Sequence, residues 1–205
     1  RIGGLNNTLS SIDNTSNNPG GVFSGKGNTL GDGTAGGLGH GQIIVGGLNN
    51  VNAGRLNNSI ILTGQENTID DSVQPTIQNT QGFHSILNGL QNQITGSAPT
   101  TEAAKDQSGK FSTIVNGESN KIETGGASTQ TVYKYNTIVN GSGNIIMPDV
   151  SGSTIAAGSN ITADRSDTVY AANLSLTNLP TSAVGLPVGA VYRTGSAFDE
   201  LKIVV

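Results

Sequence analysis

The sequence predicts an all-β chain: a β-helical or β-roll repeat shaft closed by a C-terminal β-hairpin. Three observations predict it. Of 205 residues 30 are Gly, while charged residues are 12% and aromatics 4%, and there is no Cys or Trp. About 25% charged is usual for a globular domain. Short Ile/Val/Leu pairs recur in fixed register with a Gly and an Asn. No window carries the 3.6-residue period of a helix.

The composition allows only a thin core. Aliphatic residues occur singly or in pairs among Asn, Ser, Thr and Gly, so each layer can contribute one or two of them. Low charge also separates the chain from charged disordered segments. Recurring register separates it from low-complexity disorder, which needs none.

The repeat unit is a Ser, Thr or Asn, then two or three aliphatic or small residues, a Gly, two variable residues, an Asn, one variable residue and an aliphatic. Clear copies run from Ser59 through Gly64 and Asn67 to Ile69, and from Ser85 through Gly89 and Asn92 to Ile94. Two more run from Thr113 through Gly117 and Asn120 to Ile122, and from Thr137 through Gly141 and Asn144 to Ile146. A shortened copy, Thr154 to Ile161, carries Gly158 and Asn160, and a degenerate one spans Thr168 to Leu174. Earlier copies start at Gly4, Gly25 and Gly46.

The β-branched pair before Gly favours a short strand. Gly with a nearby Asn is turn chemistry, because both accept positive φ. Each copy therefore reads as strand, tight corner, strand. Stacked copies place Ile over Ile and Asn over Asn, and stacked Asn amides can hydrogen-bond along the stack. One copy cannot bury its own apolar face, so stability comes from neighbours.

The corner glycines drift in spacing, from 17 to 28 residues. A self-sufficient solenoid usually keeps a fixed period, so the drift predicts chains that rely on one another, as in an intertwined parallel assembly. The longest insertions, Ser97 to Lys110 and Thr124 to Lys134, are expected as surface excursions. The only helical candidate is Thr101 to Asp106, one or two turns at most.

Texture changes near Asn178, dividing the chain into a shaft, residues 1–177, and a terminal segment, residues 178–205. Pro180 and Pro187 favour an extended path. Gly189 to Arg193 and Leu201 to Val205 are expected to pair as a hairpin around a Thr194 to Glu200 loop.

The pattern Leu179-Pro180-Thr181-Ser182, Gly185-Leu186-Pro187, Val191-Tyr192-Arg193 and Leu201-Lys202-Ile203-Val204 resembles a segment of tail fibres and other appendage proteins of tailed bacteriophages. The repeat from Gly4 to Leu176 is similar to the coils of phage fibre shafts and of trimeric β-roll adhesin heads. Ser153-Thr154-Ile155-Ala156-Ala157-Gly158 comes nearest to the adhesin signature Asn-Ser-Val-Ala-Ile-Gly and departs from it in part. The resemblance implies a parallel homotrimer in an extracellular virion appendage. Its partners are other tail or fibre proteins and a glycan or protein at the host surface. A bacterial trimeric adhesin head is the alternative, and a polysaccharide-degrading tailspike a further one.

Little else points to chemistry. Net charge is −4 with dispersed Lys and Arg, so no basic stripe exists for nucleic acid. No apolar run reaches the ~20 residues of a membrane span. His40 and His84 read as structural or surface groups. The carboxylates Asp70-Asp71, Asp164 with Asp167, and Asp199-Glu200 read as solvated turns and loops, because adjacent strand residues point to opposite faces. Gly31-Asp32-Gly33 lacks the repeated pattern of calcium coils. An ice-binding face would need a flat, regular Thr ladder, which the drifting spacing disfavours. We therefore expect no enzyme, no cofactor and no metal. The candidate recognition loop is Tyr133, Lys134 and Tyr135, where two aromatics flank a cation. Phe83 and Phe111, each preceding a repeat, are expected to pack at coil edges.

Overall fold

The computed structural model describes residues 3–9, 21–31, 41–54, 59–71, 83–96, 111–123, 135–177, 179–194 and 200–204. The chain divides into two units, 1–172 and 173–205.

In the first unit the described residues form sixteen short strands: β1 (Thr8–Leu9), β2 (Gly21–Val22), β3 (Thr29–Leu30), β4 (Ile43–Ile44), β5 (Val51–Gly54), β6 (Ile60–Ile61), β7 (Thr68–Asp71), β8 (Phe83–Ile86), β9 (Gln93–Gly96), β10 (Phe111–Ile114), β11 (Lys121–Glu123), β12 (Tyr135–Ile138), β13 (Ile145–Ile146), β14 (Thr154–Ala157), β15 (Thr162–Ala163) and β16 (Val169–Ala171). Odd-numbered strands build one parallel sheet and even-numbered strands another. Each coil contributes an even strand, a Gly-containing corner and an odd strand, and then returns to the next even strand. The architecture is a two-sheeted parallel β-solenoid.

Alternation along the strands fills the core. From the even sheet Val22, Ile44, Ile61, Ile86, Ile114, Ile138 and Ile155 point inward, and from the odd sheet Leu30, Ile69, Ile94, Ile122, Ile146 and Ala163 do so. All are buried. Complete burial of an Ile side chain contributes about 1.5–3 kcal/mol, and each coil supplies about two such groups. Asn52 interrupts the odd column yet is satisfied: Ser59 Oγ donates to its Oδ1 at 2.9 Å, and its Nδ2 donates to Ser59 O at 3.1 Å.

The register corrects the reading of the spacing. In the third coil the corner glycine is Gly47, not Gly46: Gly47 has φ +97° and Asn50 follows three residues later. Ladder partners along the Asn corner lie 21, 22, 17, 25, 28 and 24 residues apart in sequence. In space, each pairs directly with the next coil. The extra residues therefore all lie, in sequence, between an odd strand and the next even strand. A single chain closes its own coils and buries its own core, so the drift in spacing gives no argument that chains depend on one another. The Thr101 to Asp106 helix candidate lies outside the described residues.

The second unit contains β17 (Val191–Thr194) and β18 (Glu200–Ile203), an antiparallel pair with Val191 opposite Ile203 and Thr194 opposite Glu200. Gly189 N donates to Val204 O at 2.8 Å and Val204 N to Ala190 O at 2.9 Å, extending the ladder beyond the strands. The pairing thus reaches Gly189 and Val204 at the outer end, as the sequence suggests, though the strands themselves begin at Val191 and end at Ile203. The loop-side strand ends are Thr194 and Glu200, which the sequence assigned to the loop.

Candidate functional site

Four surfaces of the solenoid carry its chemistry: the Asn corner, the outer face of the even sheet, the interior polar column, and a groove on the odd sheet.

At the corner, Gly64, Gly89, Gly117, Gly141 and Gly158 all hold positive φ. Close approach also demands Gly. A Cβ on Gly89 would lie 2.3 Å from Gly117 O and 2.3 Å from Asn92 Nδ2. The residue after each corner Gly makes a single bridge to the coils on either side, running from Leu5 through Lys26, Leu48, Gln65, Leu90, Glu118 and Ser142 to Ser159.

Asn67, Asn92, Asn120 and Asn144 are fully buried. Their φ is not positive; the left-handed residue is the one before them. Their role is the amide ladder. Asn50 Oδ1 accepts from the backbone N–H and side-chain Nδ2 of Asn67 at 3.0 and 3.1 Å, and Asn67 Oδ1 accepts the same pair from Asn92. Each Nδ2 also reaches the corner carbonyl of the following coil, as from Asn92 to Gly117 O at 2.9 Å. Every coil thereby satisfies backbone groups that a tight buried corner would otherwise orphan. Asn160 does not join this ladder. It takes the left-handed position, φ +57°, and the backbone N–H of Ile161 donates to Asn144 Oδ1 at 3.0 Å instead.

On the even sheet, three columns face outward. Phe83, Phe111 and Tyr135 are in register, with ring centroids 4.9 and 5.0 Å apart and planes within 3° and 9°. The rings stack face to face along the axis, so their edges rather than their faces meet solvent. Next lie Ile43, Ile60, Ser85, Thr113, Thr137 and Thr154. The third column is Phe23, Val45, Leu62, Leu87, Val115 and Val139, each donating its N–H to the following coil. None of these positions is charged. Of the candidate recognition loop, Tyr135 opens β12 within the aromatic column, while Tyr133 and Lys134 lie outside the described residues.

The interior polar column stands two residues before the core Ile of each even strand. Gln42, Ser59, His84, Ser112, Asn136 and Ser153 are all buried there. Asn136 Nδ2 donates to Val150 O at 2.8 Å, and Ser153 Oγ donates to Arg165 O at 2.7 Å. Both ring nitrogens of His84 and the Ser112 hydroxyl have no hydrogen-bond partner. Burial lowers the His84 pKa to about 4.

The groove, of about 550 Å³, opens over the odd sheet beside the corner. Glu66, Gln91 and Ser119 form one wall, and Gln93, Lys121 and Ile145 the floor. The Glu66 carboxylate accepts from Gln65 Nε2 and from Gln91 Nε2, both at 2.9 Å, and these bonds hold its pKa below the usual carboxylate value. Lys121 Nζ pairs with Glu123 at 2.6 Å. Sequence reasoning missed this groove, although its wall residues are the second of the two variable residues between Gly and Asn.

The carboxylates singled out in the sequence do not converge among the described residues. Asp70 is half-buried in β7. Asp164 and Asp167 are exposed; Asp164 accepts from the Tyr170 hydroxyl at 2.9 Å. Asp199, His40 and Asp32 lie outside the described residues. Among the described residues no group of three His, Cys, Asp or Glu could hold a metal, and no helix is long and apolar enough to cross a membrane.

No family model, no curated protein and no solved structure matches this chain.

Proposed function

We propose that this chain is a structural shaft element of a virion appendage, a tail fibre or similar, that assembles as a parallel homotrimer and extends toward the host surface. The observation that carries the reading is the outer face of the even sheet. It repeats an uncharged triplet of aromatic, small or β-branched, and aliphatic residues over successive coils. An exposed apolar stripe of this kind marks an interaction surface. Because neither copy would desolvate a charge there, a second copy of the same chain suits it, and every added coil adds contact. The C-terminal resemblance to phage appendage segments supplies the setting.

Light scattering after size exclusion tests the assembly. Three chains of 20.8 kDa give a particle of about 62 kDa. The paired substitution Leu62→Glu with Val139→Glu is expected to reduce it to single chains with unchanged β circular dichroism. A wild-type chain that stays at 20.8 kDa at micromolar concentration would overturn the trimer. Immuno-electron microscopy of particles then reads the location.

A further inference from the structure

The strongest departure from the repeat lies at the residue before the ladder Asn. Seven corners hold this residue at positive φ, Asn6, Gly27, Asn49, Glu66, Gln91, Ser119 and Gly143, and in the eighth Asn160 takes the same place ahead of Ile161. Five of them are Gly or Asn, which accept that conformation at low cost. Three consecutive coils instead carry Glu66, Gln91 and Ser119, at φ +56°, +55° and +55°. Side chains that fit this backbone poorly persist where something else requires them, and such strain clusters at ligand sites. These three residues are the wall of the groove on the odd sheet.

We propose that this groove binds a neutral, extended oligosaccharide lying along the solenoid axis. The chemistry of the lining selects the class. Gln91 and Gln93 each offer a donor and an acceptor, Ser119 a hydroxyl and Glu66 an ionised acceptor, a set that suits vicinal hydroxyls. Successive coils repeat these groups at about 4.8 Å, the spacing of adjacent strands, so a polymer can meet several of them. Ile145 supplies an apolar floor for a pyranose ring. Lys121 is already paired with Glu123 and Glu66 is ionised, so the groove has no excess positive charge for an anionic chain. A peptide strand is disfavoured because the sheet beneath is paired coil to coil and exposes no free edge there. The inference rests on the shaft reading in one respect: if the even sheet packs inward, the odd sheet and its groove face outward.

The test titrates the full chain with hexasaccharides of glucose, mannose and N-acetylglucosamine, and with an alginate hexasaccharide as the acidic comparison, by calorimetry and by following the Gln side-chain amide resonances. At least one neutral hexasaccharide is expected to bind and to shift Gln91 and Gln93. Gln91→Gly and Ser119→Gly are expected to weaken it about tenfold or more while raising the melting temperature, because Gly relieves the left-handed strain. Asn49→Gly, the same position outside the groove, is expected to leave binding unchanged. No binding by any neutral hexasaccharide, binding by alginate alone, or binding indifferent to both Gly substitutions would each overturn the proposal. Repeating the titration with the Leu62→Glu, Val139→Glu chain separates the two readings: binding retained by single chains supports the groove whatever becomes of the trimer, and binding lost there while the wild type binds places the ligand in the assembly, against the groove.

Discussion

The side-chain oxygen of Asn67 lies 3.0 Å from the backbone N–H of Asn92 and 3.2 Å from its Nδ2, across 25 residues of sequence. One atom thus fixes where the next coil begins its odd strand, however long the intervening segment. Asn92→Ala removes the Nδ2 contacts to Asn67 Oδ1 and Gly117 O, the latter still accepting from Leu90 N–H, and strands the buried N–H of Asn120. Each buried group left unsatisfied costs about 1–3 kcal/mol, so a loss of about 2–4 kcal/mol is expected in urea unfolding. Asn160→Ala, outside the ladder and exposed but at φ +57°, is expected to cost about 1 kcal/mol, from the left-handed backbone rather than from lost hydrogen bonds.

Adjacent glycines give a sharp contrast. Gly47→Ala would place a Cβ 2.2 Å from Gly64 O at φ +97°. Gly46→Ala meets nothing within 4 Å. The first is expected to destabilise by about 3 kcal/mol or more, through overlap with backbone that cannot move aside. The second is expected to stay within about 0.5 kcal/mol, as surface changes usually do. Thermal melts of the two variants side by side check this.

His84 makes stability depend on pH. Its folded pKa of about 4 lies below the ordinary 6.5 because burial disfavours the charged ring. The unfolded chain therefore binds the extra proton first, and stability falls as pH drops from 6.5 toward 4. At about 1.4 kcal/mol per pH unit the loss approaches about 3 kcal/mol. His84→Leu removes the titrating group and two unpartnered nitrogens. It is expected to flatten the pH profile of unfolding in that window and to be neutral or stabilising at pH 7.

The Phe83, Phe111 and Tyr135 stack should couple energetically. A double-mutant cycle on Phe83→Ala and Phe111→Ala is expected to give about 0.5–1.5 kcal/mol of interaction, the range for ordered aromatic pairs. Coupling near zero would mean that the rings merely coexist on the surface.

Much of the coil was legible because its signals are local. β-branched pairs announce the even strands, and Gly with Asn announces the corners. The errors came where letters are ambiguous by one place. Gly46 and Gly47 are adjacent, and only counting back three residues from Asn50 selects the second. In the shortened copy Asn160 stands second after the corner Gly rather than third, so it takes the left-handed place and not the ladder. The letters of Ser59, His84 and Ser112 assign them no face, and His84 read as a structural or surface group; alternation from the Ile two places on turns all three inward. The groove was illegible for a different reason. Glu66, Gln91 and Ser119 are 25 and 28 residues apart and are brought together only by the coil register.

Confining every length change to the stretches between an odd strand and the next even strand makes this architecture modular. Such a stretch can be lengthened, shortened or exchanged without altering the amide column that indexes the coils. Insertion there is tolerated where insertion at the corner is not. Lineages of such a chain would be expected to diversify between β7 and β8, β9 and β10 or β11 and β12 while the corners stay nearly constant, and a designer could insert foreign sequence at those same places.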